Sequence, residues 1–264
     1  MSLFHALFLG ILQGLTEFLP VSSSGHLAIA QHYLPGFQQP GVLFDVMLHV
    51  GTMFAVILYF RREILLLALS PFRSGAEARL YRRLLALLIL GSVPTAVIGL
   101  TFKDFFVSMF DRIPAVAAML VVTGLLLFLS ERLRRDGRRE EQLTWSDALL
   151  VGIAQGCAVM PGISRSGATI STLLIKGVEG ETAARFSFLL ALPAVFGAAL
   201  LSLRDVSLVA ATEIPAYCLG TAAAFGIGFF SIHFLLGVIR RRRLTGFAVY
   251  CWLVGGAFLA AAAL

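Results

Sequence analysis

The chain contains two copies of one sequence pattern, and each copy interrupts apolar sequence with a short polar break. Residues 10–14 match residues 152–156 without a gap, and in the same register 22–25 match 164–167. A repeat in fixed register predicts a duplicated fold. Non-helical backbone at membrane depth is stable only where protein or a water-filled cavity satisfies its hydrogen bonds. We therefore expect both breaks to line one site.

The composition is that of a membrane protein. Of 264 residues, 58% are hydrophobic and 14% are charged, and the mean hydropathy is +0.89. The net charge of +6 does not indicate a nucleic-acid partner, because the basic residues cluster beside apolar stretches, where they mark cytoplasmic loops. These clusters lie at 61–83, 132–139 and 240–243. The sequence predicts an all-α polytopic integral membrane protein that binds no nucleic acid.

Six apolar stretches are long enough to cross a bilayer as helices. They cover residues 43–60, 84–101, 113–130, 183–203, 215–237 and 245–263. Segments 3–34 and 147–175 differ, because each consists of two shorter apolar pieces around a polar break. The pattern predicts a re-entrant helix hairpin in each of these two segments.

The basic clusters give the two copies opposite orientations. Segment 43–60 runs from outside to inside because arginines follow it, whereas its counterpart 183–203 runs outward because the cluster at 240–243 places the end of 215–237 inside. This is an inverted-topology repeat, whose hairpins enter from opposite faces and meet near the midplane. The site is expected to open to the outer face, since the first hairpin enters from there.

The predicted organisation is a first repeat over 1–131, a cytoplasmic linker over 132–146 and a second repeat over 147–264. A further similarity, between residues 91–99 and 220–228, extends the duplication at a shorter spacing. The N-terminus lacks the pattern of a cleaved signal peptide, so we expect it in the mature protein. Structural roles are expected for the cysteines, which are Cys157, Cys218 and Cys251.

The first break carries several groups that could perform chemistry. Gln13 and Glu17 are one helical turn apart and share a face, and Pro20 then ends that helix. Hydroxyl groups and an imidazole stand at the start of the next helix, where free N–H groups favour an anion. These residues are Ser22, Ser23, Ser24 and His26. Together they offer nucleophiles, an acid–base group and a carboxylate for a cation.

The second break offers a binding site for an anion. Pro161 and Gly162 interrupt the incoming helix, and Arg165 supplies a planar guanidinium suited to phosphate oxygens. The hydroxyl groups beside it belong to Ser164, Ser166 and Thr169. The alternative is purely structural: Ser22 caps its helix, and Arg165 pairs with Glu17 or Asp45.

Three other ionisable residues lie within apolar stretches. Asp45 and His49 are one turn apart, and the sequence leaves open whether they form a structural pair or support the site. His233 has no polar neighbour in the sequence, so we expect a structural role for it.

These two motifs resemble those of the bacterial undecaprenyl-diphosphatases associated with bacitracin resistance. The first motif runs from Gln13 and Glu17 into the serine-rich turn that ends at His26, and the second occupies residues 161–169 in full. The resemblance in length and layout covers nearly the whole chain. It implies a phosphatase of the bacterial inner membrane that converts a polyprenyl diphosphate lipid to the monophosphate carrier of cell-wall synthesis.

The resemblance also implies roles for individual residues. Glu17 helps to bind a divalent cation, Mg²⁺ or Ca²⁺, or the diphosphate. His26 and the pair Ser22 and Ser23 supply acid–base and nucleophilic chemistry, with Ser23 as the preferred nucleophile. Arg165 holds phosphate together with Ser164, Ser166 and Thr169. Position 13 is Gln where many members carry Glu, which argues against a metal site with two carboxylates.

Two other functions fit parts of the sequence. Inverted repeats with broken helices also occur in transporters, so the main alternative is a transporter or flippase for a lipid phosphate or another anion, with or without hydrolysis. A second family of lipid phosphatases contains Ser-Gly-His, as at 24–26, but its second motif ends in His where this chain has Ser171. The sequence leaves the attacking atom and a homodimer open.

Overall fold

The computed structural model describes residues 1–39, 42–135, 137–202, 209–241 and 243–262. Within these ranges the chain forms twelve α-helices and no strand. The helices are α1 (Leu3–Thr16), α2 (Ser23–Tyr33), α3 (Leu43–Tyr59), α4 (Arg61–Leu69), α5 (Ala76–Thr101), α6 (Lys103–Met109), α7 (Ile113–Leu133), α8 (Trp145–Cys157), α9 (Arg165–Ile175), α10 (Gly180–Ser202), α11 (Ile214–Arg240) and α12 (Thr245–Ala262).

The predicted class, an all-α polytopic membrane protein, is confirmed. Among the residues that the structure describes, five helices are long and apolar enough to cross a membrane, and the number rises to six if α3 and the segment after it count as one bent span. The two parts of that span meet at 79°. Helix α5 begins at Ala76 rather than at the predicted residue 84, because its polar first turns, with Arg79 and Arg82, continue the helix beyond the apolar stretch.

Both predicted breaks are present. The first separates α1 from α2, and the second separates α8 from α9. Each following helix starts on a serine at an equivalent position of the repeat: Ser22 Oγ accepts a hydrogen bond from the Gly25 N–H at 3.2 Å, and Ser164 Oγ accepts one from the Gly167 N–H at 3.0 Å. Ser22 has φ of 69°, a conformation that non-glycine residues adopt at a cost. The polar break is therefore held in a strained turn.

Equivalent glycines bring the halves together in two matching helix crossings. A methyl group at Gly10 of α1 would overlap the carbonyl oxygen of Gly220 in α11, and one at Gly152 of α8 would overlap that of Gly91 in α5. Gly10 and Gly152 are repeat equivalents, as are Gly91 and Gly220. Each half thus packs its broken helix against a long helix of the other half.

Two further pairs of equivalent helices, α7 with α12 and α3 with α10, pack against each other. Helices α7 and α12 run antiparallel, since Gly124 lies against Trp252 and Gly255 lies against Ala117. Helix α3 approaches α10 through the rings of Phe60 and Phe188, whose centroids are 6.1 Å apart. These contacts join equivalent helices of the two halves, as expected for a duplicated fold. The repeat bounds 1–131, 132–146 and 147–264 stay a prediction.

The linker is tied to both halves through arginine side chains. Arg138 pairs with Asp147 at the start of α8 and donates to the carbonyl oxygens of Gln142 at 2.7 Å and Lys176 at 3.0 Å. Arg83 of α5 donates to the carbonyl oxygens of Glu141 and Leu143. The linker therefore holds the entrance to α8 and the end of α9 in place.

Candidate active site

Glu17 is the centre of the polar cluster. It caps the C-terminus of α1 and is only 6% exposed. Its Oε2 accepts hydrogen bonds from Gln13 Nε2 at 2.9 Å and from Ser23 Oγ at 2.5 Å. Gln13 lies one turn earlier in α1, and Ser23 is the first residue of α2. The break between the helices therefore folds the serine back onto the carboxylate.

Arg165 reaches the same carboxylate from the second break. It is the first residue of α9, and its Nη2 donates to Glu17 Oε1. The two breaks also touch through backbone, since a methyl group on Gly25 would lie 3.0 Å from Gly162 Cα. The expectation that the two breaks line one site is met by these contacts. Because the pair is largely buried, removing either partner alone should cost about 3–5 kcal/mol of stability.

His49 joins the cluster from α3. Its Nε2 lies 3.4 Å from Glu17 Oε2, and its Nδ1 lies 2.7 Å from the carbonyl oxygen of Asp45. Both of these neighbouring oxygen atoms are hydrogen-bond acceptors. The Asp45 carboxylate instead accepts from Gln31 at 2.5 Å and Gln39 at 3.2 Å. His49 is thus a direct neighbour of Glu17, which the spacing in the sequence left undecided.

His26 is directed away from Glu17. Its Nδ1 lies 2.8 Å from the carbonyl oxygen of Ser22, and its Nε2 lies 2.8 Å from the hydroxyl of Tyr250 in α12. In the described part of the chain, its ring hydrogen bonds go to these two residues and not to Ser23. Sequence analysis missed Tyr250, because a tyrosine in a long apolar helix carries no distinguishing signal.

The other hydroxyl groups that were predicted at the site form hydrogen bonds within or beside the two turns. Ser22 Oγ lies 3.3 Å from Ser24 Oγ, and Ser164 Oγ lies 3.2 Å from Ser166 Oγ. Thr169 is fully buried, and its hydroxyl contacts Arg165 O at 2.8 Å and Ser187 Oγ at 2.5 Å. Of the predicted hydroxyl residues, Ser23 is the one whose hydroxyl donates to Glu17.

His233 and the three cysteines lie outside this polar cluster. The Tyr59 hydroxyl lies 3.3 Å from His233 Nδ1, a polar neighbour in space that the sequence did not indicate. All three cysteines are free thiols. Cys157 and Cys218 are exposed, whereas Cys251 is buried beside Pro20.

The oxygen donors around Glu17 suit a hard cation that also binds the substrate. Among the described residues, no group of three His, Cys, Asp or Glu side chains is arranged to hold a metal ion. However, Gln13 Oε1 is buried beside Glu17 and has no hydrogen-bond partner there. A carboxylate and an amide oxygen are ligands for Mg²⁺ or Ca²⁺, which complete their shells with phosphate oxygens and water. The residues present fit such an ion.

Comparison with known proteins gives consistent matches over the whole length. Residues 6–257 match a family described as bacitracin resistance protein BacA. The chain is 65% identical over 260 residues to the undecaprenyl-diphosphatase of Syntrophotalea carbinolica, covering 98% of this chain and 99% of the relative. It is 43% identical to that of Carboxydothermus hydrogenoformans, covering 97% and 95%, and 38% identical to that of Methanobrevibacter smithii, covering 97% and 96%.

Proposed function

The chain belongs to the bacitracin resistance protein BacA family, and from this membership we propose how it acts. It is a multi-pass membrane phosphatase that hydrolyses undecaprenyl diphosphate to undecaprenyl phosphate and inorganic phosphate. The product is the lipid carrier of cell-wall synthesis. The reaction takes place at the Glu17 cluster. The observation that carries this proposal is the hydrogen bond of 2.5 Å from Ser23 Oγ to Glu17 Oε2, beside Arg165.

The first step is attack by Ser23. Its oxygen attacks the terminal phosphorus while its proton passes to Glu17, with which it is already hydrogen-bonded. The bond from that phosphorus to the bridging oxygen breaks, and undecaprenyl phosphate leaves with the bonding electrons. Ser23 then carries the phosphoryl group.

The second step releases phosphate. A water molecule attacks the phosphoserine and displaces the serine oxygen, which recovers its proton from Glu17. The water gives its own proton to His26, whose Nε2 must first leave the Tyr250 hydroxyl. Attack by water on the diphosphate itself is the competing possibility, and the Ser23 variant below distinguishes the two.

Arg165 supplies charge for the diphosphate. Its guanidinium can contact two phosphate oxygens at once, and Arg165 itself begins α9, where free N–H groups favour an anion. An incoming diphosphate would therefore share Arg165 with Glu17. The hydroxyls of Ser22, Ser24, Ser164, Ser166 and Thr169 support the two turns that present these groups.

We propose Mg²⁺ or Ca²⁺ as the cofactor, held by Glu17 together with Gln13 Oε1. When bound, such an ion neutralises charge on the phosphate oxygens and polarises the phosphorus. Glu17 and Gln13 lie on one helix of one chain, and Arg165 comes from the same chain, so the site does not need a homodimer. We further place the protein in the bacterial inner membrane with this site open to the outer face, from the distribution of arginines.

Phosphate release from undecaprenyl diphosphate by purified protein in detergent tests the site. Ser23→Ala should lower kcat by at least about a hundredfold, since loss of the nucleophile removes the first step. Ser108→Ala is the matched control, because this exposed hydroxyl bonds only to its own helix. Chelation should abolish activity and added Mg²⁺ should restore it. Substantial turnover by Ser23→Ala would favour attack by water, and full turnover without metal would exclude the cation.

A further inference from the structure

The two ring nitrogens of His49 both face oxygen atoms. Nδ1 lies 2.7 Å from the carbonyl oxygen of Asp45, one turn earlier in α3, and Nε2 lies 3.4 Å from Glu17 Oε2. A carbonyl oxygen can only accept, so Nδ1 carries a hydrogen and donates it. The ring is thus held by its own helix, and Nε2 is directed at the carboxylate that ends α1.

This arrangement is typical of a histidine that binds a metal ion. Metal-ligating histidines donate their other ring N–H to a carbonyl or carboxylate oxygen, which fixes the tautomer and directs the free nitrogen at the metal. Two ligand atoms that are each about 2.1 Å from one ion lie about 3.0–3.4 Å apart. The 3.4 Å between His49 Nε2 and Glu17 Oε2 falls at the upper end of this range. The pair can therefore hold one ion without a large movement of either side chain.

Gln13 offers a third ligand atom to the same position. Its Nε2 donates to Glu17 Oε2 at 2.9 Å, while its Oε1 is buried without a hydrogen-bond partner among the described residues. Rotating the amide by half a turn exchanges these two atoms and turns the oxygen toward Glu17 Oε2. Arg165 donates to the other carboxylate oxygen, so it does not compete for Oε2. The Ser23 hydroxyl donates to Oε2, so an ion there would lie next to the proposed nucleophile.

We propose that His49 Nε2 is a ligand of the divalent cation, together with Glu17 Oε2 and Gln13 Oε1. The inference rests on the proposed function in one respect, the presence of a cation at Glu17. His49 comes from α3, and the other two ligands come from α1 and its C-terminal cap, so the ion would join these helices. An imidazole ligand favours transition-metal ions, so the site should bind Mn²⁺ more tightly than Ca²⁺.

Mn²⁺ added to the purified full chain in detergent, without lipid, tests the ligand directly. Pulsed electron paramagnetic resonance should detect a bound imidazole nitrogen in the wild type, and the signal should change when the five histidines carry ¹⁵N. His49→Gln should abolish this signal and raise the Kd for Mn²⁺ at least about tenfold, since loss of even a supporting hydrogen bond to a metal ligand costs that much. His233→Gln is the matched control, because His233 contacts Tyr59 away from the site. It should keep both the signal and the affinity.

The outcomes separate this proposal from the proposed function. The isotope comparison uses the wild type, so it does not depend on the folding of a variant. Bound Mn²⁺ with oxygen ligands only would overturn the proposal and leave the cation at Glu17 in place. A nitrogen signal that survives in His49→Gln would overturn it as well. Wild type that binds no Mn²⁺ would also overturn it, and the chelation assay above then decides whether the phosphatase needs any cation.

Discussion

At the scale of single residues, Glu17 has more partners than a simple ion pair requires. Gln13 and Ser23 donate to one oxygen, Arg165 donates to the other, and His49 lies 3.4 Å away. A structural ion pair would be satisfied by Arg165 alone. One of the additional donors, the Ser23 hydroxyl at 2.5 Å, brings the proton of a candidate nucleophile within reach of the carboxylate.

Arg165→Lys should be nearly as damaging as Arg165→Ala. A lysine supplies the charge but not the planar pair of donors, so kcat/KM should fall about a hundredfold, equivalent to about 3 kcal/mol. Arg185→Lys is the control, because Arg185 pairs with Glu181 at 3.2 Å at a half-exposed position away from Glu17. Kinetics on variants that elute as folded protein would check this. Near-normal activity of Arg165→Lys would leave Arg165 only a structural role.

At the scale of helices, the matching glycine contacts explain how each broken helix is held. Gly10 and Gly152 let the backbones of α1 and α8 lie directly against the long helices α11 and α5. Close backbone approach through small residues is typical of helix packing in membranes. The positions of Glu17 and of the second break therefore depend on these two crossings.

Gly152→Ala should destabilise the protein by about 1–3 kcal/mol, because the added methyl group meets backbone atoms that cannot move independently. Gly10→Ala should destabilise the protein to a similar extent, because Gly10 is the equivalent of Gly152 in the first repeat. Gly226→Ala in α11 is the control, since nothing lies within 4 Å of the added carbon. Thermal unfolding in detergent would measure the difference. Equal melting temperatures for Gly152→Ala and Gly226→Ala would contradict the importance of the crossing.

At the scale of the whole molecule, the inverted repeat predicts which loops share a side of the membrane. Arg73, Gly137 and Arg241 should lie in the cytoplasm, whereas Asp104 and both chain termini should lie outside. Asp205 is also expected outside, and it falls outside the described residues. The close contact between Glu17 and Arg165 places the two breaks at one depth, which is consistent with hairpins that enter from opposite sides.

Single cysteines at these positions, in a chain without Cys157, Cys218 and Cys251, would test the topology. An impermeant thiol reagent added to intact cells should label position 104 and leave 73, 137 and 241 unlabelled until the membrane is opened. Labelling of both 104 and 137 from outside would contradict the inverted repeat. The glycine variants provide no such test, because packing does not depend on the direction of insertion.

The class of fold and the central residues could be predicted from sequence because they depend on local properties. Length and hydropathy determine which segments can cross a bilayer, and Pro20, Pro161 and Gly162 interrupt helices wherever the chain goes. The duplication showed that the two breaks are equivalent. Because a charged side chain is costly inside a membrane, Glu17 and Arg165 could be predicted as site residues. These inferences need no knowledge of which helix faces which.

The neighbours of these residues were decided by tertiary structure alone. His49 approaches Glu17, and Tyr250 approaches His26, only because α3 and α12 are rotated to present those side chains inward. Thr169, predicted beside the phosphate, instead turns to Ser187 of α10. Helix rotation is set by packing between segments far apart in sequence, and apolar helices such as α12 have no polar face that would reveal it beforehand.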